Sequence, residues 1–227
     1  MHEVNSEDIP GMKFLGISLI ACKIRVGIIG GGKAAFIKAL SIAGRDSEVE
    51  VLSPNFFKGF YGLKNENVKL ITGEYETGFI KDKHLVIIAV TGEDEERIIK
   101  DCEKANKLYL VCSDFRKGNF IKPFQDNTKN IFFTVNTRGN PMGAVFLGEK
   151  VREVLKGYDD FMDFIIKVRE KFRGRRIKKE LMKYVNSEEF YRIFKSGRHE
   201  EVIKGFLKDE GNKGGNEEEQ FSADTDR

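Results

Sequence analysis

Residues 26–35 read VGIIGGGKAA: an apolar run, three consecutive glycines, a lysine and two alanines. Every glycine gives up a side chain and loses extra backbone entropy on folding, so three in a row mark a place where bare main chain is required. The preceding residues, IRVGIIG (24–30), have the nearly continuous hydrophobicity of a strand buried on both faces. The following residues, KAAFIKALSIAG (33–44), are helix formers with Ala35, Leu40 and Ile42 among the apolar positions, and they stop at a glycine suited to a C-terminal cap. The stretch therefore reads strand, Gly30-x-Gly32-x-x-Ala35, helix.

Working outward, the alternation of apolar and helical stretches repeats. FLGISLI (14–20) is a possible first strand, followed by IRVGIIG, EVEVLSP (48–54), NVKLITGEY (67–75), HLVIIAVT (84–91), KLYLVCSD (107–114) and NIFFTVNT (130–137). GEDEERIIKDCEKAN (92–106) begins with acids that suit a helix N-terminus. About six strands alternating with helices predict an α/β fold, a Rossmann-type doubly wound parallel sheet. Beyond Pro141 only helical periodicity remains: 141–157, then 158–174 with Phe161, Phe164, Ile165 and Val168 on one face, then 176–185 and 187–209 with Ser187 as a cap. The expected organisation is an extension (1–13), a dinucleotide-binding domain (14–140), a linking and dimerisation helix (141–157), a small all-helical domain (158–208) and a disordered polar tail (209–227).

Composition narrows the class. The 227 residues include 39 basic and 36 acidic side chains, a formal charge of +3, so the balance alone does not predict a nucleic-acid binder. No window approaches a membrane span, and the acidic N-terminal stretch does not resemble a signal peptide. Cys22, Cys102 and Cys112 are far apart and read as free thiols of a cytoplasmic protein. His2, His84 and His199 are scattered, so no metal site is expected. The most basic stretch, KFRGRRIKKE (171–180), could meet RNA or an acidic partner, or be a solvated helix junction.

In a strand–turn–helix of this form one glycine makes the turn, another admits the pyrophosphate, and the helix N-terminus supplies N–H groups and a favourable dipole. Candidate cofactor-binding residues are thus Gly30, Gly32, Lys33 and Ala34; the alternative is a glycine loop used only for packing. The end of the second strand, where NAD-binding sheets usually carry an acid, has Ser53, Pro54 and Asn55. Thr91, at the end of the fourth strand, either faces the ligand or caps the next helix.

Taken in order, GGGKAAFIKA, VLSP, LVIIAVT, LVCSDFRKGNFIKP, VNTRGNP and PMGAVFLGEKVREVL resemble the precorrin-2 dehydrogenases, stand-alone enzymes of sirohaem synthesis, over about residues 14–155. The resemblance implies NAD-dependent oxidation of precorrin-2 to sirohydrochlorin, a homodimer with 141–155 at its interface, and an aspartate after the fifth strand as acid/base group. Alignment from Phe120 puts Ser113 at that aspartate's position and Asp114 one residue later; Asp114 is the candidate base and Ser113 its alternative. A substrate with eight carboxylates implies a cationic mouth, for which Arg116, Lys117, Asn119 and Arg138, with Lys122, are the candidates. Arg97 stands where members often have asparagine. The family also admits a bifunctional dehydrogenase and ferrochelatase taking ferrous ion as substrate, and a module that binds nucleotide or tetrapyrrole without catalysis.

Overall fold

The computed structural model describes residues 13–205. Residues 1–12 of the expected extension and the tail 209–227 lie outside the described residues. The chain divides into two compact units at the Lys122–Pro123 bond.

The first unit holds five parallel strands, β1 (Arg25–Ile29), β2 (Glu48–Ser53), β3 (Val68–Thr72), β4 (Leu85–Ile88) and β5 (Leu108–Val111), in the order β3-β2-β1-β4-β5. The register aligns Ile28 with Val51 on one side and Ile87 on the other. Successive side chains point to opposite faces, so the apolar run of β1 feeds two cores. Val26 and Ile28 pack with Ala35, Ala39 and Ala43 of helix α1 (Lys33–Ala43). Ile29, Val86 and Ile88 pack with Ile98 and Cys102 of helix α2 (Glu93–Lys104). The buried stripe of α1 is thus alanine at i, i+4 and i+8, which lets the helix lie close to the sheet; Leu40, expected among the apolar positions, is exposed. With α1 and α2 in separate cores, the sheet is doubly wound and Rossmann-type.

Two strand expectations change. Residues 14–20 are apolar but form no strand: they are extended, exposed and followed by a single 3-10 turn at Ala21–Lys23. Residues 130–137 do contain a strand, β7 (Phe132–Val135), but it pairs antiparallel with β6 (Phe124–Asn127) in a separate two-stranded sheet. The reason lies on the free edge of β5. Asn119 folds back onto it, its Oδ1 accepting from the Tyr109 N–H at 2.7 Å and its Nδ2 donating to the Lys107 carbonyl at 2.8 Å. The Asn119 N–H also reaches the Tyr109 carbonyl. A sixth strand would have to displace these bonds to pair there.

The second unit contains that hairpin and helices α3 (Pro141–Lys156), α4 (Asp159–Lys171), α5 (Lys178–Val185) and α6 (Glu188–Lys195), with further helix over 199–205. Asn140 caps α3 by accepting from the Gly143 N–H, with Pro141 in the first turn, and Ser187 caps α6 as its sequence suggests. Gly148 lets α3 touch the hairpin, since a Cβ there would lie 2.0 Å from the Phe124 ring. Asp159 ties the hairpin to α4 through the Thr128 hydroxyl and the Asn130 N–H. Phe161, Ile165, Val168 and Phe172 of the α4 region close a core with Leu181, Val185 and Phe190, and Phe164 packs at its border. The helix expected over 187–209 breaks at Gly197, whose φ is +77°. Among the described residues no helix is long and apolar enough to cross a membrane.

Candidate functional site

The sheet order reverses between β1 and β4, and a crevice opens beyond the carboxyl ends of the strands at such a point. The glycine turn lies there, and its three residues do different work. Gly30 has φ +114° and its N–H bonds the Leu52 carbonyl; a Cβ on it would come within 2.4 Å of the Ala89 carbonyl oxygen. Gly31, the unspecified position of the motif, is the most confined, with a Cβ placed 2.0 Å from the Asn55 carbonyl oxygen and 2.7 Å from Ser53 Oγ. Gly32 meets nothing within 4 Å. Two glycines are therefore demanded by the neighbouring strands, and the third leaves open space in front of α1.

That opening has the properties of an anion cradle. Gly32 is the N-cap of α1, no side chain caps the helix, and no acid occupies its first turn. Gly32, Lys33 and Ala34 are exposed. The first-turn N–H groups and the positive end of the dipole thus face outward.

Beside the turn is a cavity of about 230 Å³ walled by the ends of four strands: Gly30 and Gly31 after β1, Ser53 and Pro54 of β2 and its turn, Glu74 and Tyr75 after β3, and Val90 after β4, with Asp94 from α2. This is smaller than the roughly 300–1,000 Å³ that encloses a whole drug-sized ligand, so it suits one half of a dinucleotide. The residues fit a pyrophosphate on the glycine turn and a nucleoside in the cavity. Ser53 spends its hydroxyl on the Asn55 carbonyl at 2.7 Å, and Asn55 is exposed. The acid missing from the end of β2 has counterparts in Glu74 and Asp94, contributed by other elements, which the sequence did not single out. Arg97 bonds the Tyr75 carbonyl at 3.2 Å and lies over its ring. Thr91 is exposed and does not cap α2, whose N-cap is Gly92 with φ +78°.

A second polar cluster follows β5. Glu95, in the first turn of α2, is buried, accepting from Ser113 Oγ at 2.5 Å and from Lys117 Nζ at 2.7 Å. Burial pushes its pKa up, but Lys117 and Ser113 outweigh burial and hold it below the ordinary carboxylate value. Asp114 caps the turn Phe115–Lys117 through the Arg116 N–H and takes the Arg116 guanidinium in a fork, with contacts of 2.7 to 3.1 Å. Arg116 holds the Asp114 carboxyl below its usual range. A base with a raised pKa at this position is thus not what the fold builds: Asp114 is an ion-paired cap. Ser113, Asp114, Arg116 and Lys117 are brought together. Asn119 is not, because its amide is committed to the start of β5. Lys122 is half-buried, and burial, with Lys38 and Arg45 nearby, pushes its amine down to about 8. Arg138 belongs to the second unit, in the turn between β7 and α3, with φ +50° and its N–H on Asn136 Oδ1. Among the described residues no cluster of three or more His, Cys, Asp or Glu could hold a metal ion.

Residues 17–124 match the family described as "Putative NAD(P)-binding". Among solved structures, SirC, precorrin-2 dehydrogenase, superposes with a TM-score of 0.65 at 14% identity, covering 86% of this chain and 100% of that one. The chain has the fold of SirC. Both findings agree with the resemblance carried by the ordered motifs. Partial overlaps occur with a D-isomer specific 2-hydroxyacid dehydrogenase from Xanthobacter autotrophicus Py2 in complex with NADPH and MES (TM-score 0.33, 19% identity, 45% of this chain and 42% of that). The NAD-complexed enzyme of the same kind from Lactobacillus delbrueckii ssp. bulgaricus overlaps likewise (TM-score 0.29, 17% identity, 42% and 28%). No curated protein matches the sequence.

Proposed function

We propose that the chain is a cytoplasmic dehydrogenase that oxidises precorrin-2 to sirohydrochlorin with NAD. The observation that carries the reading is the open cradle at Gly32 beside a nucleoside-sized cavity at the sheet's reversal point. In this reading Gly30, Gly32, Lys33 and Ala34 present backbone to the pyrophosphate, and Ser53, Pro54, Asn55 and Thr91 border the nucleoside. Glu74 and Asp94 in the cavity wall favour the hydroxyls of an unmodified ribose and repel a 2′-phosphate, hence NAD over NADP. The bound nicotinamide would supply the chemistry of accepting a hydride.

The protein's own part is to hold the macrocycle and accept the proton lost with that hydride. Arg116 and Lys117 border the β5 end as carboxylate-binding groups. Arg116 does two things in turn. In the free chain it keeps Asp114 ionised and weakly basic. A substrate carboxylate that draws the guanidinium away removes the partner holding the Asp114 pKa down, so Asp114 becomes a better proton acceptor as the substrate arrives. Ser113 donates its hydroxyl hydrogen bond to Glu95, which leaves its oxygen lone pairs as acceptors. The exposed apolar side chains Met142, Val145, Phe146 and Val154 on α3 are the proposed homodimer contact.

Anaerobic incubation with precorrin-2 and NAD, followed by the absorbance of reduced nicotinamide, tests the reading. Turnover with NAD exceeding turnover with NADP is expected. NAD binding without turnover would instead leave a binding module.

A further inference from the structure

We propose that Glu95 is a positioning residue for the macrocycle side of the reaction, a role that rests on the function proposed above. Three of the four acids that open α2, Glu93, Asp94 and Glu96, are exposed and already complement the positive end of the helix dipole. Glu95 is 3% exposed and shares with Ile98 and Cys102 the face of α2 that packs on the sheet. A charge on an apolar stripe is costly to desolvate, and replacing a buried ion pair by apolar residues of similar volume is often neutral or stabilising. Stability therefore gives no reason for a carboxylate at this position. What the carboxylate holds does.

Its two oxygens reach different groups on the segment after β5. Oε2 accepts from Ser113 Oγ at 2.5 Å, and Oε1 accepts from Lys117 Nζ at 2.7 Å. Ser113 and Lys117 are themselves exposed, and they stand on either side of the Asp114–Arg116 fork in the chain. One buried group thus fastens both ends of the short segment that carries the proposed base and the proposed carboxylate-binding cations. Both bonds leave capacity for a ligand: the Ser113 hydroxyl keeps its acceptor lone pairs, and the Lys117 ammonium keeps two further donors. A free lysine must lose its rotamer freedom when it binds, whereas Lys117 has lost it already.

The same helical turn addresses the other reactant. Asp94 and Ile98 line the nucleoside cavity, while Glu95, between them in sequence, turns to the end of β5. Neighbouring residues of one packed helix therefore serve cofactor and macrocycle separately, from an element rigid enough to fix both.

Steady-state kinetics of the full chain with precorrin-2 and NAD, parent against Glu95→Gln, tests this. Glutamine keeps the size of the side chain and replaces one of its two accepting oxygens by a donor. The expected result is a KM for precorrin-2 raised about tenfold, about 1.4 kcal/mol, with the KM for NAD unchanged. A role confined to stability would lower the folded fraction, and so the apparent kcat, without raising one KM alone. Asp94→Asn should show the opposite pattern, with the KM for NAD raised and that for precorrin-2 held. If Glu95→Gln does not fold, Glu95→Asp, which keeps the charge on an arm one carbon shorter, carries the same expectation. An unchanged KM for precorrin-2 in a folded, active variant, or equal rises in both KM values, would overturn the role of Glu95 and leave the proposed function standing. A parent chain that does not turn over precorrin-2 would overturn that function and this role with it.

Discussion

Three adjacent glycines make separable predictions. Gly31→Ala forces a Cβ against the Asn55 carbonyl at 2.0 Å, and relief requires backbone movement. Its expected cost is roughly 1–3 kcal/mol of stability, measured by chemical denaturation. Gly30→Ala adds the penalty of φ +114° to a clash with Ala89 and should be at least as severe. Gly32→Ala meets open space, so the melting temperature should hold while affinity for NAD, measured by calorimetry, falls. A Gly32→Ala chain binding NAD as well as the parent would remove the cradle from the site. Gly30 and Gly32 were legible in the sequence because a buried strand running into a helix leaves few uses for missing side chains. Gly31 was not, because what excludes its Cβ is the carbonyl of Asn55, 24 residues away in sequence and adjacent only once β2 lies beside β1.

Elements are held by side chains that look unremarkable in the sequence. Glu95 is one of four consecutive acids in α2's first turn, and nothing local says which of them faces inward. Only the docking of α2 against β4 and β5 makes it the buried partner of Ser113 and Lys117. Lys117→Met leaves that carboxylate buried with Ser113 alone. Its pKa should then rise, lowering the melting temperature at neutral pH, with the gap to the parent narrowing as acid protonates Glu95. A constant gap across pH would mean that Lys117 does not hold Glu95 ionised. Asn119→Ala strips two hydrogen bonds from the edge of β5 and orphans the Tyr109 N–H, for an expected loss of about 1–3 kcal/mol and faster amide exchange in β5, with NAD affinity unchanged. The same edge explains why the apolar stretch at 130–137 read as a sheet strand: periodicity reports that a segment is extended, not which partner remains available to it.

Several carboxylates in both units share a direction. Glu50, Asp82, Glu95 and Asp114 in the first unit, and Asp159 and Asp163 in the second, are held below their ordinary pKa by cations or hydrogen-bond donors. A folded pKa below the unfolded one contributes stability that is present above the unfolded value, roughly pH 4, and is lost as pH falls through the folded value. Thermal melts should therefore be insensitive to pH between about 5 and 7 and decline steeply below about 4; an early decline near pH 6 would contradict these assignments. Both halves of the architecture were readable from alternation and period, whereas the crossing from one unit to the next was not, because Lys122 and Pro123 carry no compositional break. That junction has a practical side. An amine that sheds its proton near neutrality is a better nucleophile than an ammonium, so Lys122, pushed down to about 8, should be acylated by a limiting dose of an activated ester, as peptide mapping would show. Lys122 thereby offers an address for a fluorophore or cross-linker at the chain position where the first unit ends, without an engineered cysteine.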